Sequence, residues 1–326
     1  MDMDNRLAEY LEPITGSMIE FEDEFRRSVS GDPGLPADIG GYLVKARGKR
    51  LRPALLLLSQ RSQAPDGEAA LAAAVAIELI HTATLLHDDV VDVSDRRRGR
   101  VTVNARWNNM VAVLMGDYLL ARAFETLVRL GNHRVLQAVS LATRRIAIGE
   151  LRQLQQNGNV NIGEAQYAAI ISDKTASLFG ASCQAGLLMA KPDSCDAQKY
   201  RDFGETLGMS FQIVDDLLDY VGDTEKTGKA RGNDIKEGKT TLPLIYALQT
   251  AHPGVREEMV ALARNYHADN FGRIYDFISE HGGFAYARKR ASEFTDRALQ
   301  YLSDVPESPY RRSLEMIVGY AVSRCA

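Results

Sequence analysis

Cysteine and tryptophan are scarce in this sequence of 326 residues, which contains three cysteines and a single tryptophan. Cys183, Cys195 and Cys325 are an odd number at unrelated spacings, and no two of them are close enough to form a metal-binding knuckle. These absences exclude a disulfide-stapled scaffold and a cysteine-rich zinc module. We therefore expect reduced thiols and a cytoplasmic protein.

Long hydrophobic runs and a large excess of one charge are also missing. The most apolar stretch, residues 69–77, is followed by Glu78 and His81, so it falls short of the roughly 20 apolar residues that span a bilayer. The acidic start, MDMDNRLAEY, lacks the basic residues and apolar run of a signal peptide. A net charge of -4 gives no general field for binding nucleic acid. Any anion site must be local.

Helical periodicity is what the sequence does contain. Hydrophobic residues make up 45% of the chain and recur at helical spacing, as in Leu207, Phe211, Val214 and Leu218. The 26 glycines and 10 prolines show no short period, which excludes a collagen-like or low-complexity chain. We predict an all-α fold, with residues 1–326 as a single domain. The predicted helices lie near residues 5–30, 50–62, 67–93, 108–130, 133–157, 164–190, 196–221 and 240–250, with shorter ones beyond residue 255.

An acidic motif of the form DDxxD occurs twice. Its first copy, DDVVD, begins at Asp88, and its second, DDLLD, begins at Asp215. At about 100° per residue, each trio of carboxylates falls within an arc of roughly 100° on one helix face. The six residues are Asp88, Asp89, Asp92, Asp215, Asp216 and Asp219.

Such crowding of carboxylates is unfavourable without a cation, especially where apolar neighbours such as Val90 and Leu218 limit screening by water. The ligands are oxygen atoms with no cysteine nearby, which favours Mg²⁺ over Zn²⁺. Mg²⁺ commonly joins protein carboxylates to a diphosphate. The alternative, a solvated helix face, explains one copy more easily than two copies embedded in apolar helices.

An arginine-rich loop follows the first motif and contains Arg96, Arg97, Arg98 and Arg100 around Gly99. The guanidinium fork binds phosphate oxygens in a bidentate manner. A charge run by itself is usually a solvated loop. Its position directly after DDVVD favours a phosphate site instead.

A second basic group, GKRLRP, supplies Lys49, Arg50 and Arg52 at the start of an apolar helix, where free backbone amides also favour anions. His81 lies seven residues before Asp88, about 20° from the same helical line. The alternatives here are an ordinary helix start and a histidine of the core.

Other polar residues interrupt apolar helices, where they need partners. Lys174 and Thr175 interrupt one such helix, and Gln212 precedes the second acidic motif on another. Lys229 and Lys239 belong to the glycine-rich stretch GKARGNDIKEGKTTLP. This stretch could close over phosphates, or it could be a mobile surface loop.

Together, GKRLRP, DDVVDVSDRRRG, FQIVDDLLD and GKTTLP resemble the motifs of the trans-polyprenyl diphosphate synthases, the head-to-tail isoprenyl chain elongases. The resemblance runs from Gly48 to Pro243 and is closest to the long-chain bacterial members, through HTATLLHDDVVD and GNDIKEGKTTLP. It implies an isoprenoid-synthase-type helical bundle around a central cavity, normally as a homodimer.

The resemblance also implies a role for each motif residue. The six aspartates are implied to bind metal, with Asp88, Asp92 and Asp215 as the principal ligands. The implied isopentenyl diphosphate site consists of Lys49, Arg52, His81 and Arg98. The implied contacts to the allylic diphosphate are Arg97, Lys174, Thr175, Gln212, Lys229 and Lys239.

Such an enzyme would use Mg²⁺, with three ions expected, to ionise an allylic diphosphate primer and to join it to isopentenyl diphosphate. Ala83 and Thr84 lie one turn below DDVVD and are small, so the resemblance implies a long product, around C40. Peripheral contact with a membrane is one route for the release of such a product. Two alternatives are a terpene cyclase, which would not need GKRLRP and His81, and a regulatory subunit of a prenyltransferase heteromer, which should have lost carboxylates or arginines.

Overall fold

The chain is predominantly helical, as its periodicity predicts. In a computed structural model, residues 3–46, 48–64, 69–97, 99–222 and 231–324 are described. The protein is 79% helical, and within these ranges the only strands are two segments of two residues each. The all-α prediction is therefore confirmed.

The elements follow one another along the chain with short connections. The first half forms helices α1 (Met3–Tyr10), α2 (Thr15–Val29), α3 (Leu35–Leu43), α4 (Leu51–Arg61), α5 (Ala69–Val91), α6 (Val103–Arg106), α7 (Asn109–Arg129) and α8 (His133–Gln156). Between α5 and α6 lies an antiparallel hairpin of β1 (Arg96–Arg97) and β2 (Arg100–Val101). The second half forms α9 (Glu164–Ile171), a π-helical turn (Ser172–Ala176), α10 (Ser177–Ala190), α11 (Ala197–Val221), α12 (Asn233–Lys236), α13 (Leu242–Thr250), α14 (Pro253–Arg264), α15 (Phe271–Glu280), α16 (Gly283–Leu302) and α17 (Pro309–Ser323).

The predicted helix boundaries of α4, α7, α8, α11 and α13 agree with the structure within two residues. The predicted helix near 5–30 is divided by a 3₁₀ turn, Glu12–Ile14, because Pro13 cannot donate a backbone hydrogen bond inside a helix. Helix α3 was not predicted. Its sequence contains Pro36, Gly40 and Gly41, which are poor helix formers, so the intrinsic helix propensity of this segment is low.

The chain divides into two compact units, each assembled from separate segments. The first unit comprises Met1–Thr143, Leu178–Asp202 and Asp304–Met316. The second unit comprises Arg144–Ser177, Phe203–Ser303 and Ile317–Ala326. The first acidic motif belongs to the first unit, and the second motif belongs to the second unit.

In the first unit, α5 is the central helix and contacts α2, α4 and α7. By length and composition, Ala70–Val91 could cross a membrane, but 61% of its most apolar window is buried inside the protein. Ile77 and Ile80 are fully buried, and Glu78 is buried with an arginine partner. The predicted buried helix is therefore confirmed.

Helices α5 and α7 approach each other closely beside the first acidic motif. A Cβ atom added at Gly116 would lie 2.2 Å from His87 Nε2, so glycine at this position makes room for the imidazole. His87 Nε2 lies 3.2 Å from the Val113 carbonyl oxygen and 3.4 Å from the Asp117 carboxylate. The residue preceding Asp88 is thereby held against α7, which fixes the last turn of α5.

In the second unit, one apolar cluster joins α11 to α13, α15 and α16. Leu217 and Tyr220 of α11 are buried together with Ile245, Ile274 and Ala287. Full burial of a side chain of leucine or isoleucine size stabilises the fold by about 1.5–3 kcal/mol relative to exposure. This cluster therefore holds in place the helix that carries the second acidic motif.

Candidate active site

The first acidic motif lies at the end of α5. Asp88 and Asp89 are in the last helical turns, and the Asp92 N–H continues the helical pattern by donating to the Asp88 carbonyl at 2.8 Å. Helix α5 ends at Val91, Val93 has a φ of 50°, and the Ser94 N–H returns to the Asp89 carbonyl at 2.9 Å. Asp92 therefore continues the helical turn that carries Asp88 and Asp89, as the spacing predicts.

Asp89 is the buried member of this trio. It is 5% exposed and accepts a hydrogen bond from Arg97 Nε at 2.7 Å. Burial raises the pKa of Asp89 because it disfavours the charged form; Arg97 opposes this shift, and Asp88 and Asp92 add to it. The Arg97 ion pair connects the acidic motif to the arginine loop.

The arginine loop forms the hairpin of β1 and β2, which aligns Arg97 with Arg100. Arg96 is exposed. Arg97 is therefore the arginine of β1 that contacts Asp89, consistent with a phosphate site next to the carboxylates. The predicted phosphate ligand Arg98 lies outside the described residues.

Arg52 and His81, both predicted to bind isopentenyl diphosphate, are neighbours in the structure. Arg52 Nη1 lies 3.2 Å from His81 Nε2. Because a guanidinium can only donate, a hydrogen bond here makes Nε2 the acceptor and places the proton of a neutral ring on Nδ1. Arg52 Cζ also lies 4.6 Å from the ring centroid of Phe179. Lys49, the third predicted residue of this group, is half-buried just before α4.

Arg50, which lies between Lys49 and Arg52 in the sequence, has a different role. Its Nε lies 2.8 Å from Glu22 and its Nη1 lies 2.7 Å from Glu78, while its Cζ stacks 4.5 Å from the ring centroid of Phe25. Burial lowers the pKa of Arg50, but the two carboxylates outweigh this effect and the net shift is upward. We assign Arg50 to an ion pair that joins α2, α5 and the start of α4.

The second acidic motif lies on α11. Asp216 is its buried member, 6% exposed, and accepts hydrogen bonds from the Tyr167 hydroxyl and from Gln212 Nε2, both at 2.6 Å. Gln212 Oε1 in turn accepts from Thr175 Oγ1 at 2.8 Å. Burial raises the pKa of Asp216 to about 7; the two donors lower it, and the neighbouring carboxylates of the motif raise it.

The other two aspartates of this motif have different partners. Asp215 is 44% exposed and pairs at 2.5 Å with Arg324, whose side chain is 9% exposed and whose Cζ lies 4.5 Å from the ring centroid of Phe211. Asp219 Oδ2 accepts the backbone N–H of Asp234 at 3.1 Å. Burial, and after it the charge of Asp219, raise the pKa of Asp234 well above its ordinary value. Each carboxylate of the trio is thus held by a different element.

Sequence reasoning did not select Tyr167, Arg324 or Asp234 as site residues. Asp234 lies in the stretch GNDIKEGKTTLP, so an acidic residue in a glycine-rich segment could have been noticed. Tyr167 and Arg324 belong to no motif. Only the tertiary structure brings them to α11.

Lys174 and Thr175 lie in the π-helical turn between α9 and α10. Lys174 Nζ lies 2.7 Å from Glu150 Oε1, and Thr175 is connected to Asp216 through Gln212. The structure therefore places these two predicted diphosphate contacts close to the second acidic motif.

Lys239, another predicted diphosphate contact, precedes α13. Its Nζ lies 2.6 Å from Glu237, and its backbone N–H donates to the Asp234 carbonyl at 2.8 Å. It is thereby attached to the same segment that contacts Asp219. The predicted residue Lys229 lies outside the described residues.

Ala83 and Thr84, the predicted chain-length residues, precede the first acidic motif on α5. Ala83 is completely buried, and Thr84 is half-buried with its hydroxyl donating to the His81 carbonyl at 2.8 Å. Their influence on product length stays a prediction.

Both acidic trios offer only carboxylate oxygens, which fit hard cations such as Mg²⁺. Among the residues that the structure describes, no three histidine, cysteine, aspartate or glutamate side chains are grouped so that they could hold a metal ion. Asp89 and Asp216 are each already engaged by protein donors. An ion at either trio would therefore complete its coordination with water or phosphate oxygens, so the donor set fits an ion carried with a diphosphate.

Comparison with known proteins identifies the family. The family model for polyprenyl synthetase matches residues 35–278. Octaprenyl diphosphate synthase from Escherichia coli (strain K12) is 38% identical over 301 residues, covering 91% of this chain and 92% of the relative. All-trans-nonaprenyl-diphosphate synthase (geranyl-diphosphate specific) from Rhodobacter capsulatus is 39% identical over 316 residues, covering 96% and 97%, respectively.

Solved structures agree with this assignment. The crystal structure of polyprenyl synthase from Caulobacter crescentus CB15, complexed with calcium and isoprenyl diphosphate, has a TM-score of 0.92 to this chain at 37% identity. It covers 99% of this chain and 98% of its own. The fold is the isoprenoid-synthase helical fold, and the resemblance seen in the motifs is confirmed. The chain belongs to the polyprenyl synthetase family and is a trans-polyprenyl diphosphate synthase.

Proposed function

We propose that this synthase is a long-chain elongase that adds isopentenyl diphosphate, head to tail, to an allylic diphosphate primer. The observation that carries the proposal is the arrangement along α5. The acidic turn at its end contacts Arg97, and His81, two turns earlier, contacts Arg52. Carboxylates for an ion and cations for a diphosphate are thus provided within one unit.

The two groups of predicted diphosphate ligands have separate roles in this proposal. Lys49, Arg52, His81 and Arg98 hold isopentenyl diphosphate. Arg97, Lys174, Thr175, Gln212, Lys229 and Lys239 hold the diphosphate of the allylic primer. The support is the Arg52–His81 contact for the first group and the Thr175–Gln212–Asp216 hydrogen bonds for part of the second.

The reaction proceeds by ionisation, condensation and proton loss. The cationic side chains stabilise the negative charge that develops as the allylic carbon–oxygen bond breaks and the diphosphate leaves with the electron pair. The double bond of isopentenyl diphosphate then attacks the allylic cation and forms the new carbon–carbon bond. Loss of a proton to the departed diphosphate restores an allylic diphosphate that is one isoprene unit longer. Apolar walls must exclude water, which would otherwise trap the cation.

Magnesium is the proposed cofactor, with three ions per reaction. When bound, Mg²⁺ neutralises the diphosphate and lowers the cost of its departure. The family uses divalent metal, and the Caulobacter crescentus relative is complexed with calcium and isoprenyl diphosphate, which supports this assignment. In this chain Asp88, Asp92 and Asp215 would be the principal ligands, with Asp89, Asp216 and Asp219 supporting them.

The proposed product is around C40, because the residues one helical turn below the first motif are small. Relatives named as octaprenyl and nonaprenyl diphosphate synthases support a long product. A short chain isoprenyl diphosphate synthase, 32% identical, is also among the relatives, so the product length has to be measured.

We further propose that the enzyme works as a cytoplasmic homodimer without a nucleic-acid partner. The two cysteines within the described ranges, the buried Cys183 and the exposed Cys195, are free, which fits a reducing compartment. A product with a long hydrocarbon tail is poorly soluble in water, so we propose peripheral contact with a membrane surface during its release.

The proposal is tested by incubating the protein with labelled isopentenyl diphosphate, farnesyl diphosphate and Mg²⁺ and sizing the products by chromatography. We expect a ladder of allylic diphosphates that ends around C40, with no product when Mg²⁺ is chelated. A hydrocarbon formed without uptake of isopentenyl diphosphate would indicate a cyclase. Absence of elongation by the folded protein would overturn the proposal, and a ladder that ends at about C20 would overturn only the product length.

A further inference from the structure

The π-helical turn Ser172–Ala176 contains Lys174 and Thr175. Turns of this kind are rare and occur mainly at functional sites, and they need stabilising contacts from neighbouring elements. Helix α8 approaches it very closely. A Cβ atom added at Gly149 would lie 2.6 Å from the Lys174 backbone nitrogen. Glycine at position 149 therefore allows the backbone of the turn to lie directly against α8.

Arg145, on the same face of α8 one turn earlier, binds the start of the turn. Its Nε donates to Asp173 Oδ1 at 2.8 Å, and its Nη2 donates to the Ser172 hydroxyl at 3.0 Å and to the Ser172 carbonyl at 3.3 Å. Arg152, two turns beyond Arg145 on α8, pairs with the other oxygen of Asp173. The turn is therefore bound through its backbone and through its acidic side chain.

The same guanidinium also binds α11. Arg145 Nη1 donates to Glu205 Oε1 at 2.5 Å. The side chain of Arg145 is 16% exposed, and both carboxylates are largely buried. At about 1.5 Å per residue, Glu205 lies roughly 10 Å along α11 from Gln212. One arginine thus joins α8, the π turn and α11 in a largely water-excluded position.

At its other end the turn reaches α11 through Thr175. The Thr175 hydroxyl donates to Gln212, and Gln212 donates to Asp216. The turn and α11 are consequently connected at two points, through Arg145 and through Thr175. Rotation of the turn would break the second connection and move Lys174 away from Glu150, its partner at 2.7 Å.

We propose that Arg145 is a positioning residue for the allylic diphosphate, acting through Asp173 on Lys174 and Thr175. This inference rests on the proposed function of those two residues. Arg145 contacts neither substrate in this proposal; it sets the orientation of the side chains that do. Sequence motifs do not reveal it, because Arg145, Asp173 and Glu205 belong to none of them.

The test is Arg145→Met, with steady-state kinetics measured separately for the two substrates. We expect the KM for the allylic diphosphate to rise about tenfold or more, since small displacements of positioning groups cost large factors. The KM for isopentenyl diphosphate should stay within about twofold, because its proposed ligands Arg52 and His81 lie on α4 and α5 and contact each other, whereas Arg145 binds the π turn and α11. An unchanged KM for the allylic substrate, or an equal rise for both substrates, would overturn the proposal.

Two control variants are available on α8. Arg144 is the exposed neighbour of Arg145, so Arg144→Met should leave both KM values unchanged. Arg152→Met removes a half-exposed partner of Asp173 and should produce a smaller rise than Arg145→Met. If Arg145→Met does not fold, Asp173→Asn, which keeps the size of the side chain, must raise the allylic KM selectively; no selective rise there would also overturn the proposal.

A double-mutant cycle distinguishes positioning from general loosening of the fold. If Arg145 acts through Lys174, adding Arg145→Met to Lys174→Met should raise the allylic KM much less than it does in the wild type. Full additivity would overturn the proposal. Elongation by the wild-type protein is the reference for every variant. Its absence would refute the proposed function. Normal wild-type elongation together with an unchanged allylic KM in Arg145→Met would refute only this inference.

Discussion

At the scale of single residues, each acidic motif has its second aspartate buried. Asp89 is bound by Arg97, and Asp216 is bound by Tyr167 and Gln212. Helical spacing predicts that the carboxylates of a trio lie on one helix face. It does not predict which one is buried, because that depends on partners from other elements, and Tyr167 belongs to no motif.

The raised pKa of Asp216 predicts a pH-dependent stability. A carboxyl group whose pKa is raised by folding, here to about 7, holds its proton more tightly in the folded state, so its contribution to stability is complete below its unfolded pKa and is lost as the pH rises. The free energy of unfolding of the metal-free protein should therefore fall, relative to that of Asp216→Asn, between about pH 4 and pH 7. Urea denaturation in the presence of EDTA measures this difference, and a difference that is constant with pH would contradict it.

Val93 predicts a gain in stability on substitution. It is 79% exposed and has a φ of 50°, which is unfavourable for a β-branched residue. Val93→Gly should raise the free energy of unfolding by about 1 kcal/mol, because glycine adopts this conformation without the steric cost. The control Val91→Gly, at the last residue of α5, where the backbone is helical, should lower it. A loss of stability in Val93→Gly would show that the left-handed conformation is not strained.

At the scale of elements, helical periodicity predicts the long helices well because their apolar faces are regular. It does not predict the π turn, which needs the Arg145 interactions and the close approach at Gly149. Sequence position likewise does not decide whether Arg50 contacts an anion or belongs to an ordinary helix start. The actual partners of Arg50, Glu22 and Glu78, lie far away in the sequence.

The Arg50 ion pair predicts a large effect on stability. Arg50→Met leaves Glu78 buried without its cation, so the free energy of unfolding should fall by about 3–5 kcal/mol. Arg27→Met removes an exposed ion pair with Glu24 on α2 and should cost less than about 1 kcal/mol. Chemical denaturation of both variants measures the contrast, and equal losses would contradict a structural role for Arg50.

The position of Ala83 predicts control of product length. Ala83→Phe should shorten the product to about C15 to C20, because a bulky ring one turn below the first motif blocks the growing chain. Since Ala83 is fully buried, the variant should also lose about 1–3 kcal/mol of stability by overpacking. Thr84→Ala, which stays small, is the matched control. An unchanged product distribution from folded Ala83→Phe would reject this assignment.

At the scale of the whole molecule, helical periodicity predicts the all-α fold, and the resemblance of the motifs between Gly48 and Pro243 to those of one family predicts the family. Several partners of the motif residues lie outside the motifs: Arg324 pairs with Asp215, and Phe179 lies against Arg52. The sequence alone does not indicate the surface of the proposed homodimer, since no motif marks it.

The central claim is that both acidic motifs serve one metal-dependent reaction. Its most direct test is the turnover of Asp88→Asn and of Asp215→Asn at saturating Mg²⁺ and substrates, with Asp296→Asn on α16 as an exposed control outside the motifs. Each motif variant loses one carboxylate charge at nearly constant size, so kcat should fall by about two or more orders of magnitude while the fold is retained. The control should keep wild-type turnover. Near-normal turnover in either motif variant would contradict the account.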